Sequence, residues 1–128
     1  MEIINTEKAA RILAGDIELF TELMTIVENT LDEKFNHLET ALAEGNGDDL
    51  ELYAHQFKGA LRNIAAEECC ATLEALEKCG ATREFSHARE LYDQVRPLVR
   101  RLFDFYKEKT WEKDFLAYRQ RSKDRQDQ

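Results

Sequence analysis

Proline and glycine are scarce in this sequence. Pro97 is the single proline and there are five glycines among 128 residues, while 34% of the residues are charged and 43% are hydrophobic. Sandwiches and barrels need turn residues at short intervals, and disordered chains have fewer apolar residues than this one. The composition therefore argues against an all-β fold or a disordered tail and indicates one soluble helical domain.

Long hydrophobic runs are also lacking. No apolar stretch approaches the ~20 residues that a membrane-spanning helix needs, and the chain has no cleavable apolar leader. We therefore expect no direct membrane insertion. The cysteines Cys69, Cys70 and Cys79 are odd in number and match no common zinc spacing. They predict reduced thiols that pack in a core, a cytoplasmic location and no metal site.

Positive charge is in deficit over most of the chain. The formal net charge is −8, which disfavours binding to nucleic acid or to anionic membranes. Residues 1–99 hold nine Lys/Arg against twenty Asp/Glu, whereas residues 100–128 hold nine against six. Acidic residues are interleaved with the basic ones in this last segment, so we interpret it as a solvated helix end and expect no nucleic-acid partner.

Three glycine-containing stretches divide the chain: Gly15-Asp16, Gly45-Asn46-Gly47 and Gly80-Ala81-Thr82. In each, glycine can end a helix and the next polar residue can cap the following one. They predict helices over about residues 6–14, 17–44, 47–64 and 66–79, and a last helix from about residue 82 to beyond Tyr106.

Apolar residues recur at spacings of three and four in the long segments, which is typical of helices that bury one face. The pattern predicts an all-α fold, an antiparallel up-down-up-down four-helix bundle over residues 1–108 with a short N-terminal capping helix. Pro97 should kink the extended last helix or begin a second segment of it. Residues 109–128 should form a C-terminal helical extension and a polar, frayed tail. The stretch WEKDFLAY either continues the last helix or folds back on the bundle.

One face of the third predicted helix carries polar residues and a glycine. At 100° per residue, His55 shares its direction with Glu51, Lys58, Gly59 and Arg62, opposite the apolar stripe. A glycine inside a helix costs about 1 kcal/mol relative to alanine, and open space beside His55 is a benefit that could offset this cost. The face is either a docking platform for an anionic group on a partner or a chance surface pattern.

The stretch AHQFKGALRNI resembles the signature of the histidine-containing phosphotransfer (HPt) domain, approximately AHxLKGxxxNxGA with LE some ten residues later. The matching residues are Ala54, His55, Phe57, Lys58, Gly59, Asn63, Ala66, Leu76 and Glu77. The resemblance covers roughly residues 10–108. The sequence departs from the signature at Leu61, where a small residue is usual, and at Ala65, which replaces a glycine. The departure at Leu61 concerns which partner proteins fit, and the departure at Ala65 concerns how the third helix ends.

The resemblance implies that His55 accepts a phosphoryl group from the phosphoaspartate of a receiver domain and passes it to another receiver. The partners would be response regulators or a hybrid sensor histidine kinase. The chain would be a monomeric phosphocarrier, not an enzyme, without a cofactor of its own, because Mg²⁺ belongs to the receiver. Lys58 would stabilise the phosphoryl oxygens or orient the phosphohistidine, and Glu51 could orient the imidazole. Receiver docking would involve Glu51, Gln56, Gly59 and Arg62.

Other interpretations of the sequence come from different protein classes. A di-iron bundle enzyme would need paired, inward-facing Glu-x-x-His motifs, and the sequence has none. An interaction module with an inert His55, or an antagonist that has lost phosphotransfer, stays open, and phosphoryl uptake would distinguish these from a phosphocarrier. His37 and His87 lack the lysine and glycine that accompany His55, and we expect no function for them. Met1 and the polar tail favour a free-standing protein.

Overall fold

The computed structural model describes residues 2–127, and every regular element in that range is an α-helix. The helices are α1 (Thr6–Ile12), α2 (Ile17–Glu44), α3 (Gly47–Arg62), α4 (Glu67–Thr82), α5 (Phe85–Glu108) and α6 (Glu112–Gln126). The predicted all-α class is confirmed. None of these helices is long and apolar enough to cross a membrane.

Helices α2 to α5 surround one hydrophobic core. Helix α3 packs against α2 and α4, and α5 packs against α4 and α2, while α1 packs against α6. The largest fully buried side chains come from α2 to α6 and from the segments just before α1 and just after α3: Ile4, Phe20, Met24, Leu38, Leu50, Phe57, Leu61, Ile64, Leu73, Leu76, Leu102 and Phe115. Cys69 and Cys79 are buried, as predicted, and burial raises the pKa of the Cys69 thiol to about 12.

Two of the predicted helix boundaries follow from glycine and capping residues. Gly15 and Gly45 have φ of 73° and 62°, a left-handed conformation that strains other residues. The side chains of Asp16 and Asn46 then accept hydrogen bonds from the first turns of α2 and α3. Helix α2 spans the predicted residues, and α1 ends two residues earlier than predicted.

Gly80 does not end a helix, and that prediction was wrong. Helix α4 continues to Thr82, and Arg83 adopts the left-handed conformation at φ 65° instead. A Cβ atom on Gly80 would lie 2.6 Å from the Glu51 nitrogen and 2.8 Å from the Gly47 oxygen. The glycine is therefore required by the close approach of α3 and α4.

Gly80→Ala should destabilise the bundle by about 1–3 kcal/mol, because the added methyl group meets backbone atoms of α3 that cannot rotate away. Gly59→Ala is the matched control, since a Cβ on this other mid-helix glycine would meet no described atom within 4 Å beyond its chain neighbours and the nearby backbone of α3. That control should raise stability by up to about 1 kcal/mol. Urea unfolding measures both variants, and equal effects would contradict the role given to Gly80.

The C-terminal segment folds back on the bundle. Helix α5 passes through Pro97 without starting a second segment and ends where Lys109 turns left-handed at φ 61°. Trp111 and Phe115 are then buried against Phe20, with ring centroids 4.5 and 5.0 Å from it. Arg119 Nε also donates a hydrogen bond to the Gly15 oxygen at 2.7 Å. Helix α6 continues to Gln126, although the sequence predicted a frayed tail.

Candidate functional site

His55 presents its imidazole on the outside of α3. The side chain is 61% exposed, and its Nδ1 lies 2.6 Å from Glu77 Oε1 on α4. The second carboxylate oxygen of Glu77 accepts a hydrogen bond of 2.8 Å from Lys58 Nζ. The three side chains form one connected group, which we call the His55–Glu77–Lys58 network.

The packing of α3 on α4 explains this network. Gly47 and Gly80 let the two helices approach closely, so that Glu77 reaches across to α3. His55 and Lys58 are three residues apart and therefore face the same neighbour. The sequence had predicted that Lys58 faces solvent, but only 7% of it is exposed because α4 covers this side of α3.

Glu77 is ionised at neutral pH. Its partial burial would raise the pKa of the carboxyl, but the hydrogen bonds from Lys58 and His55, together with their charges, outweigh burial and hold the pKa below its ordinary value. The Glu77 carboxylate is therefore protonated at a lower pH than an ordinary glutamate. An ionised carboxylate can only accept hydrogen bonds. In the neutral imidazole, Nδ1 therefore carries the proton and Nε2 keeps its lone pair.

The surface beside His55 is open. Gly59 lies one turn further along α3, and apart from its chain neighbours and the nearby backbone of α3, no described atom lies within 4 Å of where its Cβ would stand. Glu51, Gln56 and Arg62 are exposed on the same helix. Another protein surface can therefore reach the imidazole.

From the sequence we expected Glu51 to orient the imidazole, but the side chain in contact with Nδ1 is that of Glu77. Glu51 lies on α3, one turn before His55, where its backbone is in the close contact with Gly80. A sequence signal for Glu77 existed, since it is the glutamate of the LE pair that follows the AHQFKG motif. Its contact with His55 could not be predicted, because the spacing of residues along the sequence does not show which helices pack together.

A family model described as the Hpt domain matches residues 22–105, more than half of the chain. The chain belongs to the Hpt domain family. No curated protein and no solved structure gave a match. The resemblance inferred from the sequence is thus confirmed, and Hpt membership supports a general phosphotransfer role with receiver domains and kinases of two-component systems.

The Hpt match begins within α2 and ends within α5, so α1 and α6 lie outside it. Helix α1 nevertheless contributes to the surroundings of the network. Its Lys8 lines an open groove of about 320 Å³ together with Lys58 and Arg62, and Lys8 Nζ pairs with Glu67 Oε1 at 2.9 Å. Lys8 could not be predicted from the sequence, because nothing in the pattern of α1 indicates that this helix lies beside α3 and α4.

The other two histidines of this Hpt chain have different surroundings. The His37 ring stacks on Tyr53 with centroids 4.2 Å apart. His87 Nδ1 lies 3.6 Å from Cys79 Sγ and 3.9 Å from Glu84 Oε2. Neither side chain has the lysine-paired glutamate found at His55. That they take no part in phosphotransfer stays a prediction.

Proposed function

We propose that this chain relays a phosphoryl group between the phosphoaspartates of receiver domains through phospho-His55. The observation that carries the proposal is the His55–Glu77–Lys58 network in an Hpt chain, because it leaves Nε2 of an exposed imidazole with its lone pair toward solvent. The partners are receiver domains of response regulators or of a hybrid sensor histidine kinase.

The transfer is a nucleophilic substitution at phosphorus. The Nε2 lone pair attacks the phosphorus of the receiver's phosphoaspartate in line with the bond to be broken. The Nε2–P bond forms while the P–O bond to the aspartate breaks, and the aspartate leaves with that electron pair as a carboxylate. Transfer to the second receiver reverses these steps with another aspartate as the nucleophile.

Glu77 and Lys58 divide two tasks in this proposal. The Glu77 carboxylate holds the Nδ1 proton and balances the positive charge that the imidazole gains when Nε2 is phosphorylated. Lys58 holds Glu77 in place through the 2.8 Å hydrogen bond, and its charge is also close to the incoming anion. The chain is a phosphocarrier, not an enzyme, because Mg²⁺ and most catalytic groups belong to the receiver.

Receiver docking uses the exposed surface of α3. Gly59 provides the gap through which the phosphoaspartate approaches, and Gln56, Arg62 and Glu51 provide polar contacts. Leu52 lies three residues before His55 and is 47% exposed, so it adds an apolar contact that the sequence analysis did not name. An exposed leucine beside a polar gap fits a surface that binds a protein.

The test is a relay with two receivers. A phosphorylated first receiver is separated from its phosphodonor and mixed with this chain, whose mass is then measured. One added phosphoryl group is expected, labile in acid and stable in base, and it should move to a second receiver. The alternative, an interaction module or antagonist, predicts binding to the receiver without any gain in mass.

Glu77→Gln should lower the rate of phosphoryl uptake about tenfold, a barrier change of ~1.4 kcal/mol, because the neutral amide no longer fixes the Nδ1 tautomer. Nitrogen chemical shifts of labelled histidine should show a larger fraction of the Nε2–H tautomer of His55. Glu90→Gln, which removes an exposed carboxylate on α5 outside the network and the docking surface, is the matched control and should change neither quantity. A Glu77→Gln variant with the parent's tautomer ratio and a reduced rate would argue against the positioning role.

We further propose the finer features that the sequence predicted. These are the up-down-up-down order of α2 to α5, a kink at Pro97, a monomeric chain in the cytoplasm, and residues 109–128 as an extension of a bundle formed by residues 1–108. The burial of Trp111 and Phe115 argues that this extension contributes to the stability of the bundle.

A further inference from the structure

A cysteine, a glutamate and a histidine converge where α4 turns into α5. Cys79 lies in the last turn of α4, Glu84 directly precedes α5, and His87 lies in the first turn of α5. Cys79 Sγ is 3.6 Å from His87 Nδ1, and His87 Nδ1 is 3.9 Å from Glu84 Oε2. One potential ligand atom from each residue lies within 4.8 Å of the other two.

The backbone of the turn holds these residues in place. The Glu84 amide donates a hydrogen bond of 3.0 Å to the Cys79 oxygen. Arg83 adopts its left-handed conformation between them, donates from Nη1 to the Gly80 oxygen at 2.9 Å, and pairs through Nη2 with Asp48 at 3.0 Å. The Arg83 guanidinium is therefore bonded to α4 and α3, and the thiol, carboxylate and imidazole occupy the turn together.

We propose that Cys79, Glu84 and His87 form a Zn²⁺ site with three protein ligands and one position for water. Zinc prefers thiolate, imidazole and carboxylate ligands in a tetrahedron, and three protein ligands plus water is a common arrangement. With Zn–S of about 2.3 Å and Zn–N of about 2.0–2.1 Å, a tetrahedral ion separates sulfur and nitrogen by about 3.6 Å. The observed Sγ–Nδ1 distance of 3.6 Å matches this value.

The carboxylate must move toward both other ligand atoms for a tetrahedral ion to bind, and its oxygen lies within 4.8 Å of Cys79 Sγ. A tetrahedral zinc separates nitrogen and oxygen ligands by about 3.3–3.4 Å, roughly 0.5 Å less than the observed distance. The side chains of Glu84 and His87 are 60% and 55% exposed, so they can move and can admit an ion from solvent. Cys79 is 4% exposed and supplies the fixed ligand.

Metal binding replaces a proton at Cys79. Burial, followed by the charge of Glu84, raises the pKa of this thiol, so it is protonated at neutral pH without a metal. When Zn²⁺ binds, the S–H proton leaves to solvent, the Zn–S bond forms, and no oxidant or reductant is needed. The spacing of the cysteines alone predicted no metal site, whereas this ligand set mixes three residue types as Cys-x4-Glu-x2-His.

Co²⁺ is the probe, because a Co²⁺–thiolate bond gives a near-ultraviolet charge-transfer band and tetrahedral Co²⁺ absorbs visible light. The reduced full chain at neutral pH should bind one Co²⁺ with both signals, and Zn²⁺ should displace it. Cys79→Ser should abolish the charge-transfer band, and His87→Gln should weaken Co²⁺ binding at least tenfold. Cys70→Ser and His37→Gln are the matched controls and should bind as the parent does.

Folding of the variants is checked by helical content and melting. Because His87 is exposed, His87→Gln should stay folded. It therefore tests the site even if Cys79→Ser unfolds. Addition of Zn²⁺ should raise the melting temperature of the parent and of both controls, but not that of His87→Gln. Absence of a thiolate band in the parent, or equal metal affinity of the parent and His87→Gln, would overturn the proposed site.

Discussion

His55→Gln is expected to abolish phosphoryl uptake from a phosphorylated receiver while leaving helical content and melting temperature unchanged. The imidazole is 61% exposed, so its loss removes little packing, and a glutamine amide can still donate a hydrogen bond to Glu77. It cannot replace the Nε2 nucleophile. Mass measurement after incubation with the phosphorylated receiver gives the uptake, and circular dichroism gives the helical content.

His37→Gln and His87→Gln serve as matched controls for this result. Both replace an imidazole on the same protein with the same amide, and neither residue belongs to the His55–Glu77–Lys58 network. Both should take up one phosphoryl group at the parent's rate. Labelling that persists in a folded His55→Gln protein, or that disappears in either control, would place the phosphoryl group elsewhere.

Gly59→Gln is expected to lower transfer from a phosphorylated receiver at least about tenfold, a barrier change of ~1.4 kcal/mol, in a protein that melts no lower than the parent. Glutamine favours a helix more than glycine does, and the space at Gly59 is open, so the fold should be as stable or more stable. The new side chain would nevertheless occupy the gap that the receiver's phosphoaspartate must cross. Transfer reactions quenched at successive times give the transfer rate, and thermal melting gives the stability.

A small phosphodonor distinguishes blocked receiver access to His55 from a loss of reactivity of the imidazole in Gly59→Gln. Phosphoramidate needs no docking surface, so it should phosphorylate His55 in Gly59→Gln nearly as fast as in the parent. Gly59→Ala should lie between the parent and Gly59→Gln in receiver transfer. If receiver transfer is unchanged in a folded Gly59→Gln protein, the glycine is not there for access.

Much of the fold was predictable because its signals are local. The apolar stripe of α2 and the glycine and cap at each end, Gly15-Asp16 and Gly45-Asn46, lie within a few residues of the boundaries they determine. Such signals depend on backbone conformation and on periodicity, which a sequence displays directly. His55 was found in the same way, through a motif on one helix face.

The features that escaped prediction depend on contacts between helices. Gly80 looks like a helix stop until α3 is placed against it, and Arg83, which shows no preference for a left-handed turn, ends the helix instead. Lys58 looks exposed until α4 covers it, and Glu77 becomes a partner of His55 only across that contact. Periodicity could not show that α6 folds back toward α1. A continued α5 and a helix that folds back would both bury the side of this segment that carries Trp111.

The phosphorylated nitrogen is the most direct test of the central claim. The chain would be prepared with ¹⁵N-labelled histidine, phosphorylated by a phosphorylated receiver, and its nitrogen–phosphorus couplings recorded by NMR. We expect phosphorus on Nε2 of His55, with Nδ1 still protonated and bonded to Glu77. Phosphorus on Nδ1 of His55, on His37 or His87, or on no histidine would contradict the claim.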